Sequence, residues 1–150
     1  MSIFKRIPVP LCAVALGMFG LGNLLQSYSE EVRLLCGAVA AVLLLLFLIS
    51  VVVDFKKFLG EMKNPIMASV FCTFPMALMM LATYIKPYIG PPAKALWFVG
   101  IGLHVVLIVY FTLKFVLGFS LEKVFASWFI VYVGIAMAGI PAPAFDGMAI

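Results

Sequence analysis

The chain has 150 residues, 66% of them hydrophobic and 11% charged, with a formal net charge of +4. A soluble domain is about 45–50% apolar and about 25% charged, so this composition excludes a water-soluble domain with one buried core and requires lipid around the outside. The basic residues stand singly among loops rather than in a stripe, which argues against a nucleic-acid partner and for topology signals and lipid headgroup contacts.

Five apolar runs follow in chain order, at approximately 8–26, 34–53, 66–85, 94–115 and 125–143. A helix needs about 20 residues to cross a ~30 Å hydrocarbon core, and all five runs meet or approach that length. The expected fold is an all-α integral membrane protein, residues 1–150 forming one transmembrane domain of five helices. Short connections make consecutive helices antiparallel neighbours, pairing runs one with two and three with four. Run five is left without a partner, which reads as a C-terminal truncation.

Run one follows Lys5 and Arg6. Pro8 and Pro10 open it, Gly17, Gly20 and Gly22 interrupt it, and no A-x-A site follows, so it is read as a retained helix rather than a signal peptide. Run two, with Val42-Leu43-Leu44-Leu45-Leu46-Phe47, is uniformly apolar and suits lipid contact. Run three carries Pro75, which removes the hydrogen bond to the Phe71 carbonyl and predicts a kink, with Ser69 and Thr73 just before it. Run four holds Gly100, Gly102 and His104. Run five has Gly134 and Ala138 at small-xxx-small spacing. Proline, glycine and hydroxyl residues thus concentrate in the odd-numbered runs, which predicts an interior set of odd runs and an outer set of even ones.

Lys5, Arg6, Lys56, Lys57, Lys63, Lys114 and Lys123 fall on one side of this topology, and Arg33, Lys86 and Lys94 on the other. The excess places the N-terminus in the cytoplasm, with the chain in a plasma membrane (the inner one in a bacterium). Trp97, Trp128, Tyr84, Tyr88 and Tyr110 are candidates for interface belts. Phe71 and Phe74 read as core in preference to pore obstruction. Cys12, Cys36 and Cys72 lie within apolar runs without metal or redox spacing and read as small packing residues.

No H-E-x-x-H, G-x-S-x-G or P-loop pattern occurs, so neither an enzyme nor a bound cofactor or metal is expected. His104 is the ionisable residue deepest in a run; a neutral hydrogen-bonding role between helices is preferred over proton relay. Kinked helices with freed backbone groups persist where protein buries them or a water-filled path runs past. Gly17, Gly20, Asn23, Ser69, Thr73, Pro75, Ser127, Tyr132 and Gly134 are therefore the candidate pore-lining or kink residues, with plain helix packing as the competing reading for the glycines and Pro75. The absence of carboxylates within the runs disfavours a cation filter and is compatible with an anion path.

Arg6-Ile7-Pro8-Val9-Pro10 leading into Gly17-Met18-Phe19-Gly20-Leu21-Gly22-Asn23 resembles the first helix of the tellurite-resistance/dicarboxylate transporter family, which includes the plant guard-cell slow anion channels. Asn64-Pro65 followed by Phe71 and Pro75 resembles its third helix. Ser127-Trp128-Phe129-Ile130-Val131-Tyr132-Val133-Gly134-Ile135, then Pro141-Ala142-Pro143-Ala144-Phe145, resembles its fifth. The resemblance implies a ten-helix protein of five hairpins around a central pore, lined by odd-numbered helices and closed by a phenylalanine on the ninth. It implies trimers with one pore per protomer. It also implies passage of small anions: chloride, nitrate, sulfite, C4-dicarboxylates or a tellurite-related species. This chain would supply helices one, three and five of that ring. A membrane scaffold or accessory subunit that does not transport is the alternative.

Overall fold

The computed structural model describes residues 7–118 and 124–145. Lys5, Arg6 and Lys123, which enter the topology argument, lie outside the described residues, as does Arg6 of the first motif. Among the described residues every regular element is a helix, with no strand.

Run one becomes α1 (Leu11–Leu25). It begins where the Pro8-Val9-Pro10 turn ends, and at 1.5 Å per residue it is about 22 Å long. Helix α2 (Glu30–Val53) starts earlier than the apolar pattern, because Ser29 caps it by accepting from the Val32 amide and Glu30 and Glu31 occupy its first turn, where negative charge is favoured. A helix that the apolar runs do not foretell, α3 (Phe55–Glu61), occupies the connection; Asp54 caps it through the Lys57 amide, and Lys57 pairs with Glu61 at 3.6 Å.

Run three is divided at Cys72 into α4 (Pro65–Phe71) and α5 (Thr73–Ile89). Asn64 caps α4 on the Ile66 amide at 2.9 Å, with Pro65 at the first helical position where its missing N–H costs nothing. Helix α5 ends at Gly90, whose φ of 65° is left-handed and whose N–H closes on the Lys86 carbonyl. Helix α6 (Pro92–Phe111) continues into a π-helical turn, Thr112–Val116, closed by the Leu117 amide on the Thr112 carbonyl at 3.1 Å. Run five is α7 (Trp128–Val133), a 3₁₀ segment from Gly134 to Ala138, and α8 (Ala142–Phe145).

Three of these helices are long and apolar enough to cross a membrane: α2, α4–α5 taken together, and α6 with its π turn. The first and fifth runs are shorter apolar helices, Leu11–Leu25 and Trp128–Ala138, because prolines bound one and glycines tighten the other into 3₁₀ geometry. Helix α1 packs along α2 and α5, α5 along α6, and α4 against α7. In the central stretch of α4–α5, 61% is buried, against 33% of α2 and 22% of α6, so run three is the inner element and the even runs turn most of their surface outward. One core joins Cys12, Ala15 and Phe19 of α1 to Ala40, Leu44 and Phe47 of α2 and Phe74, Ala77 and Met80 of α5. A second joins Ala68, Cys72, Leu107, Phe111 and Val131. Phe71 and Phe74 stack at 5.5 Å within this packing.

Candidate functional site

The break in run three organises the site. Pro75 has no N–H for the Phe71 carbonyl, and the helix parts at Cys72, where the backbone N–H turns back to Ser69. The hydroxyls on either side are locally engaged. Thr73 donates to the Val70 carbonyl at 2.7 Å and lies 3.1 Å from the Cys12 sulfur on α1. Ser69, fully buried, bonds the Ile66 carbonyl and shares a 2.8 Å hydrogen bond with the Ser127 hydroxyl at the start of run five. The divided helix is thereby tied to run one through Thr73 and to run five through Ser69.

Beside Thr73 lies an open groove of about 650 Å³. Leu16 of α1, Thr73 and Met76 of α5, and Phe129, Val133 and Gly134 of run five are among its walls, and among the described residues α2 and α6 contribute none. The walls are apolar apart from Thr73 and carry no charge. Gly134 is packed from behind: a β-carbon there would stand 2.7 Å from His104 Cε1 and 2.9 Å from Met76 Cε. His104 of α6 is itself fully buried, with Nε2 3.1 Å from the Val131 carbonyl. A carbonyl only accepts, so Nε2 is the donor in this bond.

Of the residues singled out in the sequence, Thr73 and Gly134 line the groove, and Ser69 and Ser127 meet each other. Pro75 is buried behind Thr73, and its carbonyl would lie 3.1 Å from a β-carbon on Gly100. Gly17 and Gly20 have open space where a side chain would be. Asn23 faces Arg33 instead, and Tyr132 turns away from the groove to place its hydroxyl 2.9 Å from that of Thr112 on the π turn.

Arg33 was not singled out, yet it holds three helices together. It is 7% exposed. Its Nε donates to Asn23 Oδ1 at 3.2 Å, Nη1 pairs with Glu30, and Nη2 donates to the Thr83 carbonyl at 3.4 Å. That carbonyl lacks its helical donor because Pro87 stands four residues on. The guanidinium also lies 4.6 Å from the centre of the Tyr84 ring. Tyr84, read from the sequence as an interface residue, is 5% exposed and donates to the Phe19 carbonyl at 2.7 Å. It fits because Gly22 and Gly37 carry no side chain: a β-carbon on Gly22 would come within 2.3 Å of the Tyr84 hydroxyl, and one on Gly37 within 2.4 Å of its ring. The signal available in the sequence was Pro87 freeing a carbonyl, with two glycines on facing helices.

Comparison with known families gives one informative match: residues 6–148 match the family described as SLAC1, voltage-dependent anion channel. The match spans the first, third and fifth helices on which the resemblance rested. No curated protein and no solved structure matches the chain.

Proposed function

Since the chain belongs to the voltage-dependent anion channel family, we propose that it conducts small anions across a membrane along the groove between its odd-numbered runs. The observation that carries this reading is the origin of the groove walls: among the described residues runs one, three and five all contribute, and the even runs do not. Uncharged walls set no acidic ring against an anion, and an apolar path with few fixed donors suits weak binding and rapid exit. Thr73 and Gly134 shape its middle. The Ser69–Ser127 pair and the break at Pro75 fix the divided helix, while Gly17 and Gly20 leave the first helix slim on its open sides.

The further assignments follow the resemblance. The chain supplies three helices of a pore ring completed by others, in trimers with one pore each, with the N-terminus cytoplasmic in a plasma membrane. Chloride, nitrate, sulfite, C4-dicarboxylates and tellurite-related anions are the candidates for transport, by channel or by proton-coupled passage.

Flux from liposomes tests the reading. Thr73→Leu fills the groove and is expected to slow anion flux about tenfold, the effect of about 1.4 kcal/mol on a barrier, whereas Thr73→Val keeps the shape and removes only the hydroxyl. Ser127→Leu breaks the tie to Ser69 and is expected to alter flux as well. Equal flux and selectivity in wild type, Thr73→Leu and Ser127→Leu would overturn the groove assignment, and the absence of anion flux from the intact protein would favour a scaffold.

A further inference from the structure

We propose that a second, separate pocket, at the end of the bundle where α4 begins and α6 ends, binds a phosphate-ester group. The pocket measures about 320 Å³ and is lined by Lys63, Pro65, Lys114, Phe115, Gly118 and Trp128. It shares no lining residue with the groove between the odd runs.

Its chemistry is that of an anion site with an apolar flank. Lys63 and Lys114 both line the cavity, and neither is paired with a carboxylate among the described residues, in contrast to Lys57 with Glu61. Lys114 is held in place by neutral partners: its Nζ donates to the Met62 carbonyl at 3.3 Å and to the Tyr110 hydroxyl, and lies over the Tyr110 and Phe115 rings. Those contacts orient the cation without neutralising it. The π-helical turn Thr112–Val116 sets this position; such a turn is unusual inside a helix and is commonly kept where function requires it.

The ligand class follows from those groups. Two lysines acting as point charges suit a phosphate, and Pro65, Phe115 and the Trp128 ring offer apolar surface for the organic part of an ester. The pocket lies at the ends of membrane-spanning helices, where lysines reach headgroup level and attract anionic lipid. An anionic phospholipid headgroup and a free phosphate share this chemistry.

The test is made on the intact protein and does not read transport, so it fails or succeeds independently of the anion-flux reading. Wild type, Lys63→Gln and Lys63→Gln/Lys114→Gln are placed in nanodiscs of mixed phosphatidylglycerol and phosphatidylcholine, and retained lipid is counted by native mass spectrometry. The same proteins in neutral detergent are titrated with inorganic phosphate against a chloride control, with the thermal midpoint as readout. Wild type is expected to retain phosphatidylglycerol selectively, about fivefold less for each lysine removed. Lysine-dependent lipid retention supports the site and assigns it to a headgroup. Lysine-dependent stabilisation by inorganic phosphate alone supports the site and assigns it to a free phosphate. If neither response differs between wild type and Lys63→Gln, the proposal is overturned. Lys63 is exposed and makes no side-chain hydrogen bond or ion pair among the described residues, so that single variant remains decisive even where the double variant fails to fold.

Discussion

A buried guanidinium is expensive unless its donors are met, and Arg33 shows what meeting them takes in a chain with few polar side chains. It uses one amide, one carboxylate and one backbone carbonyl that a proline has released. Removing it strands the Asn23 side chain and the Thr83 carbonyl together, so Arg33→Ala is expected to cost about 2–3 kcal/mol. Asn23→Ala, which removes one neutral partner, is expected to cost about 1 kcal/mol. Thermal unfolding in detergent should rank them in that order; equal midpoints would show that the cluster contributes nothing to stability. Gly37 makes a related case on steric grounds. A β-carbon 2.4 Å from Tyr84 must push the ring aside, so Gly37→Ala is expected to destabilise by about 1–3 kcal/mol. Tyr84→Leu should offset part of that loss in the double variant, because only neighbours in contact couple in this way. None of this was legible from composition. Arg33 counted there as one basic residue on a predicted outer face, since its partners lie up to fifty residues away in the chain.

The features best foreseen were those whose cause is local to an element. Pro75 has no amide proton wherever it stands, and the helix duly parts three residues before it. Apolar runs of helical length located the three long helices for a similar reason, since lipid leaves the backbone few alternatives, whereas runs one and five form shorter helices. Helix ends were less legible. Ser29 and Asp54 recruit polar residues into α2 and α3 by capping, a signal that a count of apolar residues passes over. Run five departs furthest from expectation. Instead of one continuous helix it tightens to 3₁₀ at Gly134, the residue against which His104 packs. A methyl group at that position meets His104 and the groove-wall residue Met76 at 2.7–2.9 Å. Gly134→Ala is therefore expected to displace His104 or Met76 and change anion flux, while Gly17→Ala, mid-helix with nothing within 4 Å, is expected to leave flux unchanged and to add about 1 kcal/mol of stability through helix propensity. Liposome flux for the pair checks this. Matching losses in both would mean that the glycines act through backbone flexibility rather than through space.

At the scale of the whole molecule the outward faces of α2 and α6 and the groove are different kinds of apolar surface. Leu35, Val42, Leu45 and Val52 project from a long helix that lipid can coat. The groove is concave, drawn from three separate runs, and open along one side. A path that carries anions across a membrane needs walls on every side, because lipid tails offer an anion no solvation. Further helices must therefore face this groove in the working protein if the anion reading holds, and the resemblance suggests five more on the same polypeptide. The native mass decides between the ways of providing them. The turn between α1 and α2 is a practical epitope, with Tyr28 88% exposed. An antibody to residues 27–32, used on denatured source membranes, is expected to detect a band at about twice the 16.4 kDa of this sequence. A band near 16.4 kDa would instead require other copies or another subunit to supply the missing wall. Crosslinking through single cysteines placed at Phe129 and Val133 on the rim of the groove would then be expected to join copies, and its failure would leave the groove without a second wall and the anion path without support.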